Sequence, residues 1–158
     1  MTQAVIESPI GPLLIFADAF GLRRIVLPAE NAPSAAAVPA ADPASVLCQA
    51  AAQLAEYFAG QRQTFDLPLS PQGTMFQQAV WAQIALIPYG QTRSYGELAV
   101  RLGSPAKARA VGGAAGRNPL PIVIPCHRVI GSSGSLTGFS GGLAVKRFLL
   151  RLESGLSD

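Results

Sequence analysis

At 158 residues the chain is long enough for one ordinary domain or two small ones, and 49% hydrophobic against 13% charged residues excludes a disordered chain. Two cysteines far apart in sequence, Cys48 and Cys126, and a single histidine leave no ligand cluster for a structural zinc, so no metal is expected. The net charge of +3 is uneven: residues 1–72 hold three basic against six acidic side chains, net −3, whereas residues 73–158 hold nine against three, net +6.

Only the second half therefore has the electrostatics that a nucleic-acid surface requires. The start, Met1 to Pro9, lacks the basic stretch and apolar run of a secretory signal. No apolar run reaches the roughly 18 residues of a membrane helix. The expectation is a soluble cytoplasmic protein with no membrane partner, in a compartment that keeps Cys126 a thiol.

In chain order, Pro12 to Ala17 and Leu22 to Leu27 are strand-like runs separated by a turn at Asp18 to Gly21. Residues 29–45, rich in Ala, Pro and Ser, read as a loop. A helix is predicted from about Pro43 to Phe58, stopping at Gly60, with Cys48 on it as a small buried hydrophobe. Nothing chemical converges in this half, and its expected role is support.

The second half begins at Gly73 and predicts three successive helices. Thr74 and Gln77 make a capping-box signature before a stripe of Phe76, Val80 and Ile84, and Pro88-Tyr89-Gly90 ends that helix. Ser94 and Glu97 make a second box opening Tyr95 to Leu102, which Gly103 closes. Ser104 is expected to cap a third helix with Pro105 at its first position.

Two helices joined by a tight Gly-Ser turn fit a helix-turn-helix and an ordinary helical hairpin equally well. The third helix favours DNA. Its residues Ala106, Ala110, Gly113 and Ala114 fall on one face at helical spacing and carry almost no bulk, which suits close approach to a minor groove only about 6 Å wide. Arg109 is the one long side chain near its centre, and Lys107, Arg101 and Arg93 are placed to meet phosphates. A phosphate loop of the GxxxxGK[ST] type is absent.

Beyond it, Cys126 and His127 sit side by side in Ile124-Pro125-Cys126-His127-Arg128-Val129. A thiol becomes a good nucleophile only as thiolate, which a neighbouring base promotes. Taken as a pair, a core thiol beside a structural imidazole is an equally good reading.

With these elements in order, the sequence resembles the O6-alkylguanine-DNA alkyltransferases, also called methylated-DNA–protein-cysteine methyltransferases. The match runs through Ser94-Tyr95-Gly96-Glu97-Leu98-Ala99, residues 108–114, Arg117-Asn118-Pro119, residues 124–130, Ser140-Gly141-Gly142 and Glu153. It is close over roughly 73–153 and looser before that, chiefly through Ser8 to Leu13.

The resemblance implies an α+β architecture: an RNase-H-like α/β N-terminal domain over 1–72, then a winged helix-turn-helix domain over 73–158 for DNA binding and alkyl transfer. It implies a DNA repair enzyme without cofactor. That enzyme flips O6-alkylguanine, with O4-alkylthymine as second substrate, out of duplex DNA and passes the alkyl group irreversibly to Cys126, once per molecule.

In that reading His127 takes the cysteine proton through a water, Glu153 orients His127, and Asn118 ties the recognition helix to the cysteine strand. Arg109 fills the vacated space. Tyr95 forces the flip and hydrogen-bonds the base. Ala106, Lys107, Ala110, Gly113, Ala114 and Arg93 meet the DNA. Tyr95, Val129, Phe139, Ser140 and Gly141 line the base pocket, with Val129 and Cys126 backbone accepting from the guanine amino group and Ser140 closing over O6.

Adjacent residues of an extended strand point to opposite faces, so the cysteine–histidine relay calls for a local turn, which Pro125 can supply. Phe139 stands where many members carry tyrosine. The expected partner is double-stranded DNA holding alkylated bases, the protein being a monomer in solution with cooperative assembly on DNA left open. Against this stand a DNA-binding regulator, an alkyltransferase-like lesion binder without the cysteine, and a cysteine hydrolase. The first leaves Cys126, His127 and Glu153 without purpose, the second lacks the thiol that is present here, and the third leaves the basic surface idle.

Overall fold

The computed structural model describes residues 2–28, 45–134, 139 and 141–155, and the chain divides into two compact units, Met1–Gln72 and Gly73–Asp158. The expected loop over 29–45 lies, but for Ser45, outside the described residues, as do Pro43 and Ser140.

The first unit is an antiparallel meander, β1 (Thr2–Ile6), β2 (Leu13–Asp18) and β3 (Gly21–Val26), with α1 (Val46–Phe58) against it. The two expected strands are present. β1, which was not predicted, pairs with β2 in the register Ala4↔Ile15 and Val5↔Leu14. Asp18 makes the β2–β3 turn by accepting from the Phe20 and Gly21 amides at 2.8 and 3.1 Å, a side chain standing in for backbone. A Cβ on Gly21 would lie 2.4 Å from the Pro68 carbonyl, so only glycine lets residues 68–70 lie beside β3, where Leu22 N–H bonds Pro68 O.

α1 begins under Ser45, whose hydroxyl accepts from Cys48 N–H, and ends where Gly60 takes φ +76°. Cys48 is half-buried rather than buried.

In the second unit the two capping boxes form as the sequence predicts. Thr74 and Gln77 open α2 (Met75–Ala85), and Ser94 and Glu97 open α3 (Tyr95–Arg101). α2 buries Val80, Trp81 and Ile84, so Trp81 joins the stripe while Phe76 stays half-buried. Gly103, at φ +78°, closes α3: its amide bonds Val100 O and the Ser104 amide bonds Ala99 O, a Schellman pair.

That closure alters the next start. Ser104 makes no side-chain cap, because its backbone belongs to the α3 ending, and Lys107 N–H on Ser104 O closes a 3-10 turn over Pro105–Lys107. The third predicted helix is thus split into that turn and α4 (Ala108–Gly116).

Two short strands, β4 (Arg93–Ser94) and β5 (Val129–Ile130), pair in parallel, and α5 (Leu143–Ser154) completes the unit. α5 buries Lys146, Leu149 and Glu153, so two charged residues lie on its inward face. No described helix is long and apolar enough to cross a membrane.

Candidate active site

The chemistry-bearing residues converge within the second unit. The expected cysteine strand is not one. Pro125, at φ −79° and ψ 65°, makes a one-residue turn closed by Cys126 N–H on Ile124 O at 2.7 Å, which suits proline because its ring holds φ there. Cys126–Arg128 follows as a single 3-10 turn, with β5 starting only at Val129. Successive side chains on such a turn are separated by about 120° rather than 180°. The turn expected at Pro125 is therefore present and continues through the cysteine itself.

Asn118 lies just beyond α4 and is buried. Its Nδ2 donates to Ile124 O at 2.7 Å and its Oδ1 accepts from Leu120 N–H at 2.9 Å. Ile124 O thus takes donors from both Asn118 and Cys126, which ties the end of α4 to the Cys126 backbone. Between them Ile122 holds φ +76° at 1% exposure, an outlier for a β-branched residue that costs on the order of 1–3 kcal/mol.

Cys126 and His127 are buried, His127 completely. His127 Nε2 and Glu153 Oε2 lie 2.6 Å apart, in hydrogen-bond contact. The same carboxylate accepts from Arg128 Nε at 2.7 Å on Oε1 and from Arg128 Nη2 at 2.9 Å on Oε2, a forked pair, and the Gly90 amide approaches Oε1 at 3.4 Å. Burial pushes the His127 imidazole below its ordinary value. Glu153 pulls it up, and the charges of Arg128 and Lys146 push it down again.

Lys146, fully buried, donates to Val129 O at 2.7 Å. Burial lowers its ammonium, while the negative charge of an ionised Cys126 draws it up. Sequence reasoning passed over both Arg128 and Lys146 because a cation on an amphipathic helix or beside an apolar run ordinarily faces water.

Tyr95, half-buried at the start of α3, lies against α4: a Cβ on Gly112 would come within 3.7 Å of its ring. On α4 and the preceding turn, Ala106, Lys107, Arg109, Ala110 and Gly113 are exposed. Ala114 is not on that open face. It is buried beneath α2, its carbonyl accepting from Trp81 Nε1 at 2.9 Å, which corrects the expected DNA contact there.

Lys107 stands 5.4 Å over the Phe76 ring, and the Arg93 guanidinium donates to Thr92 O and Gln91 Oε1. Phe139 is half-buried and Gly141 buried, whereas Ser140 lies outside the described residues. A cavity of about 350 Å³ opens on the side of Glu153 bordered by Gly90, Thr92, Ile130, Arg147 and Leu150, and neither Cys126 nor Tyr95 is among its walls. It is separate from the thiol.

The sequence profile of the 6-O-methylguanine DNA methyltransferase DNA-binding domain matches residues 75–155, and that of the family's ribonuclease-like domain matches residues 1–71. The chain belongs to the 6-O-methylguanine DNA methyltransferase family. It is 45% identical over 153 residues to the methylated-DNA–protein-cysteine methyltransferase of Methanosarcina acetivorans, covering 97% of this chain and 98% of that one. The constitutive enzyme of that name from Bacillus subtilis is 56% identical over 108 residues, 68% of this chain and 66% of its own.

Among solved structures, Mycobacterium tuberculosis OGT in complex with DNA superposes with a TM-score of 0.85 at 46% identity, covering 97% of this chain and 92% of that one. The architecture of this methyltransferase is accordingly a ribonuclease-like α/β domain followed by a winged helix-turn-helix DNA-binding domain.

Proposed function

We propose that this methyltransferase repairs O6-alkylguanine, and O4-alkylthymine as a second substrate, by turning the base out of duplex DNA and taking its alkyl group on Cys126. The observation that carries the reading is the 3-10 turn on which Cys126 sits beside an imidazole locked at 2.6 Å to Glu153, with Asn118 joining that turn to the exposed small-residue helix.

The chemistry follows from these groups. The Cys126 proton passes to the unbonded side of the His127 ring, where a bridging water can carry it, and Glu153 stabilises the imidazolium. The sulfur lone pair attacks the alkyl carbon, an S–C bond forms and the C–O6 bond breaks. Its electron pair stays on guanine, which takes up one proton and leaves neutral. A thioether has no easy leaving path, so each chain acts once. Lys146 occupies one lone pair of the Val129 carbonyl, and the other remains for the guanine amino group.

The exposed Arg109 is placed to fill the space the base vacates, an act that repays unstacking of a few kcal/mol. Lys107, Arg93, Ala106, Ala110 and Gly113 form the surface for double-stranded DNA around it, and Tyr95, Val129, Phe139 and Gly141 the pocket. The protein acts intracellularly and as a monomer.

Incubation with a duplex carrying one O6-methylguanine, followed by intact mass and peptide mapping, tests the reading. One methyl per chain on Cys126 is expected. Unchanged mass with retained binding would make the protein a lesion sensor, and repeated turnover would make it a different enzyme.

Arg109→Ala is expected to slow repair in duplex DNA far more than reaction with free O6-methylguanine base, because only the duplex has a hole to fill. Single-turnover rates on both substrates check this. Equal losses would reduce Arg109 to a phosphate contact.

A further inference from the structure

The forked contact of Arg128 with Glu153 is a buried polar arrangement that the transfer step does not itself use. Every acceptor site it offers is spoken for by nitrogen. Oε1 takes Arg128 Nε at 2.7 Å and the Gly90 amide at 3.4 Å, and Oε2 takes Arg128 Nη2 at 2.9 Å and His127 Nε2 at 2.6 Å. Arg128 is itself anchored: Nη1 donates to Ile87 O at 2.7 Å, and the guanidinium carbon lies 5.6 Å over the Tyr89 ring.

We infer that Arg128 is a positioning residue of alkyl transfer, holding Glu153 as a pure acceptor so that His127 keeps its proton on Nε2 and its Nδ1 stays open to take the thiol proton. This rests on the reading of Cys126 as the alkyl acceptor.

The argument runs through tautomers. A neutral imidazole carries one N–H, and the partner of one nitrogen decides the role of the other. An ionised carboxylate only accepts, whereas a protonated one also donates. Were Glu153 to donate to Nε2, the ring proton would move to Nδ1, and no nitrogen would remain to take a proton from Cys126. Two donors from one rigid guanidinium fork leave Glu153 no place for a proton of its own. Nδ1 is buried and has no hydrogen-bond partner among the described protein atoms, which fits an acceptor held for the reaction.

The charges around the ring are Glu153 and Lys146 from α5, Arg128 from the same turn, and the Cys126 thiol, with the Tyr89 phenol beyond Arg128. Arg128 and Lys146 both work against the lift that Glu153 gives the imidazole, so a base rather than an imidazolium waits beside the thiol at neutral pH.

His127 is the only histidine in the chain, so a ¹⁵N spectrum of the full-length protein reports one imidazole without assignment by mutation. The wild-type protein is expected to show the Nε2–H tautomer at neutral pH. Arg128→Met is expected to mix the tautomers and to slow methyl uptake from an O6-methylguanine duplex by roughly tenfold to a hundredfold, as removing the support of a functional histidine typically does. The acid limb of its rate–pH profile should move to higher pH, because a charge that holds the imidazole down has gone. Arg128→Lys keeps the charge but not the fork, so it should be slow with a near wild-type pH profile.

An Nδ1–H tautomer in the wild-type protein would overturn the inference, and that measurement needs no variant to fold. So would a folded Arg128→Met protein with wild-type rate and pH profile. Failure of the underlying reading looks different: wild-type Cys126 would gain no methyl at all.

Discussion

Cys126→Ala is expected to take up no alkyl group while keeping its affinity for duplex DNA. The sulfur is the atom that forms the new bond in this reading: the open Nδ1 of His127 serves as base to the thiol, and Lys146 Nζ donates to Val129 O, so neither nitrogen takes its place. Loss of the nucleophile should therefore be complete.

The fold should survive. Cys126 is 7% exposed and its backbone contacts, the amide on Ile124 O and the turn that follows, do not involve the side chain. A change this small costs on the order of 1 kcal/mol against a typical total of roughly 5–15 kcal/mol. Binding should survive too, because Ala106, Lys107, Arg109, Ala110 and Gly113 are exposed on a different element. Affinity should fall with salt as phosphate neutralisation demands. Intact mass after incubation with the methylated duplex, together with a binding titration, checks both halves. A methylated variant would remove Cys126 from the role, and lost binding in a folded variant would mean that the thiol wall belongs to the DNA surface.

Glu153→Ala should cost the protein both its chemistry and much of its stability. The carboxylate is the common acceptor for His127 and for two nitrogens of Arg128, all buried. Without it, Arg128 keeps only the Ile87 carbonyl among its described hydrogen bonds, and a guanidinium remains in the interior without its counter-charge. Removing one partner of a buried pair typically costs about 3–5 kcal/mol, because the charge left behind has lost water as well as its partner.

The effect on His127 has a definite sign. Glu153 is what raises the imidazole against burial, so in the variant burial prevails and the ring stays neutral to still lower pH. It also loses its orienting acceptor, so transfer should fall on the order of a hundredfold or more. Chemical denaturation of wild type and variant measures the stability loss, and single-turnover rates measure the chemistry. A loss below about 1 kcal/mol would show that the network is not load-sharing as the distances imply.

What the chain alone determined is what is decided within a few residues. Thr74 with Gln77, Ser94 with Glu97, and Gly103 after Leu102 are hydrogen-bonding arrangements spanning three to five positions, and each formed where its residues stand. Pro125 restricts its own φ, so the turn at the cysteine was equally local. Ser104 shows the limit. It has the composition of a cap, but the preceding helix ending had already claimed its backbone.

The family, and with it Cys126 and His127, was legible because these adjacent residues lie in an ordered string of such local signals. The tertiary structure alone decided the rest. Ala114 left the open face because α4 packs that side against α2, where Trp81, 33 positions away, donates to its carbonyl. Lys146 turned inward to a carbonyl 17 positions away, and Arg128 to a carboxylate 25 positions away. A charged side chain is tolerated in the interior only when its partner is waiting there, and a partner that distant is delivered by the packing of α5 against the cysteine turn, which no spacing rule encodes.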